Sequence, residues 1–93
     1  MTVYVIKIRL HAPWVHSLKE KRAITKGLCN KLRNKFNVSV VESDALDIHQ
    51  TIVLSIAFLA GSNGLADSIG EKICRFVEEN TDAEVADIQI ERR

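Results

Sequence analysis

The sequence predicts an α+β sandwich with the element order βαββαβ. Four segments have the apolar patterning of strands, and two longer segments have helical periodicity. A short polar turn joins the second and third strands as a hairpin, whereas each helix connects two strands. Right-handed crossovers then place both helices on one face of a four-stranded antiparallel sheet, which is the ferredoxin-like arrangement. The 93 residues suit one domain, predicted over residues 1–93.

The first half of the chain predicts a strand followed by a long helix. Residues 3–11 alternate between an apolar face and a mixed face, as half-buried strands do. Ser17 and Glu20 have the spacing of a capping box, so a helix is predicted from there to about Lys35. Its core-facing side is predicted to consist of Leu18, Thr25, Leu28, Cys29, Leu32 and Phe36.

The second half predicts a hairpin, a helix and a last strand. The hairpin strands are predicted over residues 37–43 and 49–60, with a turn at 44–47. A break at residues 61–64 caps a second helix, predicted over about 65–79, and the last strand is predicted over 84–91. The core side of the second helix is predicted to consist of Leu65, Ile69, Ile73, Phe76 and Val77.

Composition excludes several classes of protein. The longest apolar stretch, residues 52–60, is far too short for a membrane span, and the first ten residues lack the pattern of a secretory signal. The expected location is therefore the cytoplasm, with no membrane contact. Neither of the two cysteines, Cys29 and Cys74, belongs to a Cys-x-x-Cys motif, so both are expected to be reduced thiols.

The charge distribution is strongly asymmetric although the formal net charge is only +1. Residues 1–41 contain nine Lys and Arg against Glu20 alone, and residues 42–93 contain four against eleven acids. Four of the cations fall within about 60° of one another on the first helix. They predict either a phosphate-binding surface or an ordinary solvated helix face. The candidate nucleic-acid-binding residues are these four, Lys19, Arg22, Lys26 and Arg33, with Lys21, Arg9 and His11 as flanking contributors.

The sheet face opposite the helices leads to the alternative hypothesis. The central strands place no aromatic residue there, so base stacking of the kind seen in RRM domains is not expected. Val3, Val5, Val53 and Ala57 instead make this open sheet face apolar. An apolar open face predicts a covering partner, and a homodimeric interaction scaffold is the simplest form of it.

No catalytic motif, metal-ligand set or cofactor site is predicted. His11, His16 and His49 are expected at one end of the fold, but without the spacing of a known metal motif. Residues 61–64 lack the lysine and glycine spacing of phosphate-binding loops, which favours a helix cap. Trp14 is either a stacking residue in the first loop or a residue packed on the edge of the domain.

Three sequence segments carry a resemblance to a known family. These are His11-Ala-Pro13, the run HSLKEKR at residues 16–22, and FNVSV at residues 36–40. With them, the chain resembles the YlxP-like family (DUF503), a bacterial domain of unknown function, over essentially its whole length. The resemblance implies a small cytoplasmic ferredoxin-like domain. Because family genes often lie near those for ribosome maturation and translation initiation factors, it also implies an RNA- or ribosome-linked role, and it supplies no catalytic residues.

Overall fold

A computed structural model describes residues 1–93 and confirms the ferredoxin-like prediction. The four strands form one antiparallel sheet in the order β2-β3-β1-β4, and the helices pack on one face of it. The elements are β1 (Thr2–His11), α1 (Leu18–Lys35), β2 (Ser39–Asp44), β3 (Thr51–Ala60), α2 (Asn63–Glu79) and β4 (Glu84–Arg92). None of the helices is both long enough and apolar enough to span a bilayer.

The capping box of α1 forms with a changed partner. The Ser17 hydroxyl accepts a hydrogen bond from the Glu20 amide at 3.1 Å, as the spacing predicts. The Glu20 carboxylate, however, accepts from the amide of His16 at 3.3 Å and not from that of Ser17. The Glu20 side chain thus fixes His16, the residue before the cap.

The second helix begins at Asn63, two residues before the predicted start. The Ser62 hydroxyl accepts from the Leu65 amide at 3.2 Å, which makes Ser62 the cap. Leu65 consequently lies in the first turn and is 51% exposed, so the prediction that it belongs to the core is wrong. Ala66 and Gly70 take the core positions instead.

A cluster of 19 buried hydrophobic residues fills the space between the sheet and the helices. β1 contributes every second residue, from Tyr4 to Leu10, because alternate side chains of a strand point to the same face. α2 approaches this strand very closely at Gly70. A Cβ atom there would lie 2.7 Å from the Tyr4 ring, so only glycine permits this distance between helix and sheet.

Candidate nucleic-acid interface

The predicted cations of α1 lie along one exposed side of the helix. Lys19, Arg22, Lys26 and Arg33 are all exposed, and none of the four ion pairs in the structure involves them. We call these four residues the basic flank. Arg33 donates from Nη2 to the carbonyl oxygen of Val40 at 2.8 Å, which places the flank on the side of α1 that faces β2. No acid of α2 forms an ion pair with the flank.

Arg33 differs from the other members of the basic flank because its guanidinium is held in place. Besides the bond to Val40, Nη1 donates to the Asn30 side chain at 3.3 Å. A guanidinium carries five N–H groups, so donors remain for a ligand. A pre-positioned arginine loses less side-chain entropy when it binds a phosphate than a free lysine does.

Lys21 does not belong to this surface, which corrects its assignment as a flanking contributor. Its side chain is fully buried, and Nζ donates to the carbonyl oxygens of Ala45 at 2.6 Å and Ile48 at 2.8 Å. Glu42 Oε2 lies 2.8 Å from the same nitrogen and balances its charge. A buried ammonium with its charge balanced and its donors engaged has nothing to offer a phosphate.

Together these contacts fix the tip of the β2–β3 hairpin. Ala45 has a φ of 54°, in the left-handed region that non-glycine residues seldom adopt. The Asp44 side chain accepts from the Ala45 amide at 2.8 Å, while Lys21 holds the Ala45 carbonyl. The clamp around Lys21 thus stabilises a strained turn whose residues Leu46 and Ile48 remain more than half exposed.

Arg9 and His11 lie on the open sheet face and not beside the basic flank. In the ladder between β1 and β4, Arg9 is opposite Asp87 and His11 is opposite Glu84. Residues opposite each other on one sheet face are neighbours, so each basic group has an acid beside it, although neither forms an ion pair. The structure therefore separates these two residues, like Lys21, from the four cations of α1.

The open sheet face is less apolar than its sequence pattern indicates. Val53 is only 3% exposed there, and Lys7 and Arg9 run through the middle of the face on β1. The large apolar side chains that remain exposed are those of Val41 at 55% and Leu59 at 63%. The homodimer through this face stays a prediction.

The first loop and the hairpin turn meet at one end of the fold, as the topology predicts. Ala12 donates from its amide to the Gln50 carbonyl at 2.8 Å, and the Gln50 side chain donates to Pro13 at 3.1 Å. Trp14, 41% exposed, lines a groove of about 320 Å³ between α1 and the turn that follows α2. No three His, Cys, Asp or Glu side chains are arranged to hold a metal ion.

The two cysteines are free thiols with the character of packed apolar residues. Cys29 is buried and Cys74 is partly buried, and burial raises the pKa of each thiol above its ordinary value. A raised pKa lowers the fraction of thiolate, which is the nucleophilic form. The arrangement thus lacks an activated cysteine, and the basic flank remains the distinctive chemical feature of the surface.

These features define the class of protein: a ferredoxin-like domain with a basic helix. Comparison with known proteins gives the family. The model of the protein family of unknown function DUF503 matches residues 3–90, so the chain belongs to this family. It is 34% identical over 62 residues to the uncharacterised protein YlxP of Bacillus subtilis (strain 168), which covers 67% of each chain.

A comparison with solved structures supports the fold alone. The de novo designed protein Foldit4 superposes with a TM-score of 0.51 and 15% sequence identity. The alignment covers 99% of this chain and 94% of the designed chain. A designed protein with so little sequence identity shows that the architecture is shared, and it carries no information about function.

Proposed function

We propose that the protein is a non-enzymatic module that binds structured RNA or a ribosomal particle through the basic flank of α1. One observation carries the proposal: Lys19, Arg22, Lys26 and Arg33 are exposed on one side of one helix, and none of them forms an ion pair. Surface cations without acidic partners create a positive potential that attracts a polyanion. We also propose a cytoplasmic location, because structured RNA and ribosomal particles both occur there.

The flank has the dimensions of a backbone-binding surface. Lys19 and Arg33 are fourteen residues apart along α1, which corresponds to about 21 Å at the rise of an α-helix. The charges therefore spread along a line, as phosphates do along a nucleic-acid strand, and do not converge on a single anion. Such a line binds a polymer better than it binds a small phosphorylated ligand.

Contacts of this kind predict weak sequence preference. Phosphate contacts position a protein on a nucleic acid, whereas contacts to base edges specify a sequence. The open sheet face, which reads bases in RRM domains, has no aromatic side chain here. Recognition would accordingly depend on the shape of a folded RNA and on the spacing of its phosphates.

Charge reversal on the flank tests the proposal. In Lys19→Glu/Arg22→Glu, two attractive phosphate contacts become repulsive, so affinity for ribosomal RNA fragments at low salt is expected to fall by about 10- to 100-fold. Fluorescence anisotropy with a labelled fragment measures the change. Both residues are exposed, so circular dichroism and thermal melting of this variant should match the wild type.

A matched control separates the flank from net charge. Lys72→Glu/Arg75→Glu makes the same change in charge on exposed residues of α2. The control should retain most of the affinity if binding occurs through α1. Equal losses in both variants would mean that only overall charge matters, and unchanged affinity in the α1 variant would refute the proposal.

A further inference from the structure

The two edges of the sheet are protected very differently. At the β2 edge, Arg33 donates to the Val40 carbonyl, and the Lys21 clamp occupies carbonyls of the adjoining turn. No side chain donates to or accepts from the backbone of β4, and neither helix packs closely against this strand. β4 is therefore an open edge with unpaired backbone groups, the situation that favours addition of another strand.

The side of β4 that faces the helices is also uncovered. Ile88 is 37% exposed and Ile90 is 52% exposed, although both are on the same sheet face as the buried core. They line a groove of about 350 Å³ between β4 and α2, together with Tyr4 and Cys74. An open edge next to an apolar strip provides backbone pairing and hydrophobic burial to the same partner.

The hydrogen-bond pattern between β1 and β4 determines which residues of β4 direct their backbone groups towards the free edge. Arg93 and Val3 exchange two backbone hydrogen bonds, 2.8 Å and 2.9 Å long, so the backbone groups of Arg93 point towards β1. Because this direction alternates along an antiparallel strand, Ile88, Ile90 and Arg92 have their N–H and C=O groups on the free edge. The two exposed isoleucines are thus also the residues available for pairing.

From this we infer that β4 pairs antiparallel with β4 of a second copy, around a two-fold axis that passes through Ile90. In this register Ile90 is opposite its own counterpart, and Ile88 is opposite Arg92 of the second copy. The three residue pairs whose backbone groups meet across the interface would form about six backbone hydrogen bonds. The aliphatic stem of Arg92 would cover Ile88, since long cationic side chains pack their methylene groups on apolar surface.

Charge favours this register over the one with the axis at Gln89. With the axis at Ile90, Asp87 is opposite Arg93 of the second copy, which already pairs with Glu91 of its own strand, so an acid of each copy would contact this cation on the open sheet face. With the axis one residue earlier, Asp87 would be opposite Glu91 of the second copy, and like charges directly opposite each other destabilise a sheet. A two-fold interface presents one surface to itself, so each favourable pair occurs twice.

The dimer would have a continuous eight-stranded sheet with β2 at both outer edges. Since the basic flank lies on the β2 side of α1, the two flanks would lie at opposite ends of the assembly. This dimer does not depend on RNA binding. The variants that test it leave the four flank cations unchanged, so its failure is distinguishable from failure of the proposed function.

Sedimentation velocity over a concentration series tests the dimer directly. The wild type is expected to reach twice the monomer mass, whereas Ile90→Lys should remain a monomer. Leu59→Lys is the matched control, because Leu59 is 63% exposed on the open sheet face. A monomeric wild type at every concentration would overturn the inference. So would loss of the dimer in Leu59→Lys with retention in Ile90→Lys, which would assign the interface to the open sheet face.

Cysteine cross-linking tests the register, in a Cys74→Ser background. Cα atoms of a hydrogen-bonded antiparallel pair are about 5.5 Å apart, within the range for a disulfide, so Ile90→Cys should oxidise to a covalent dimer. Ile88→Cys would be about 14 Å from its counterpart and should not cross-link. Equal or faster cross-linking of Ile88→Cys would contradict the axis at Ile90.

Discussion

The buried clamp around Lys21 gives the sharpest stability prediction. Lys21→Met keeps a side chain of similar length but removes the charge that balances Glu42 and the donor to two carbonyl oxygens. Breaking a buried ion pair on one side typically costs about 3–5 kcal/mol. The Glu42 side chain is 14% exposed, but Oε2, the oxygen nearest Lys21, is buried without a hydrogen-bond partner, so we expect a loss of at least about 3 kcal/mol.

That loss is large for a chain of this size. A domain of 93 residues has a free energy of unfolding of about 5–14 kcal/mol. A change of about 3 kcal/mol should lower the melting temperature by roughly 12–24 °C. Urea unfolding monitored by circular dichroism measures the free energy, and an unchanged m-value would confirm that the comparison is valid.

Lys19→Met is the matched control, two residues away on the exposed side of the same helix. It should change the free energy of unfolding by less than about 0.5 kcal/mol. Replacing Glu42 by Gln in each background then measures the coupling between the two charges, which should be large only with Lys21. If Lys21→Met and Lys19→Met prove equally stable, the clamp contributes nothing and the reasoning is refuted.

Further predictions concern backbone positions and the thiols. Gly70→Ala should destabilise the protein by about 1–2 kcal/mol in thermal unfolding, because the new Cβ atom meets the Tyr4 ring. Gly27→Ala, where a Cβ atom meets nothing within 4 Å, should stabilise the protein by about 1 kcal/mol. The opposite order of stabilities would contradict the close packing of Gly70 on Tyr4. Ala45→Gly should leave urea stability unchanged or raise it by up to about 1 kcal/mol, since glycine relieves the positive φ; a clear loss would argue against a strained turn. Burial raises the pKa of both thiols, so their contribution to stability is complete below the unfolded-state pKa and is lost as pH rises through the folded-state pKa. Urea midpoints should therefore decrease above about pH 8.5, and less so when both cysteines are replaced by alanine.

Local patterns in the sequence were sufficient to predict the architecture. Alternation in β1 and the Ser17 cap depend on neighbouring residues, and both are recovered in the structure. The predicted start of α2 lies two residues after the observed one because four polar or small residues precede Leu65, and the sequence does not say which of them caps the helix. Because the helix begins earlier than predicted, Leu65 lies on an exposed side of its first turn and not in the core.

Lys21 was misassigned because a lysine on a helix is normally solvated. A signal for its burial exists in the sequence: at 100° per residue, Lys21 lies about 20° from Leu28 and from Leu32, within the apolar arc. Glu42 likewise lies two residues after Val40, on the inward side of its strand. Opposite charges at two core-facing positions indicate a buried ion pair.

The exposed side of β4 depends on where the helices sit across the sheet. The alternation of Ile88 and Ile90 predicts an inward face, and both do lie on the core side of the sheet. How far α2 extends over β4 follows from the close packing of Gly70 on Tyr4, which draws the helix towards β1. Such packing depends on the whole fold and not on the sequence of the strand.

The salt dependence of binding to ribosomal subunits tests the central claim most directly. Four phosphate contacts predict a slope of about −3 in a plot of log affinity against log salt concentration. Neutral replacement in Lys19→Gln/Arg22→Gln should reduce the magnitude of this slope by about two, while Lys72→Gln/Arg75→Gln should leave the slope unchanged. Absence of binding at low salt, or the same slope in all three proteins, would contradict recognition through α1.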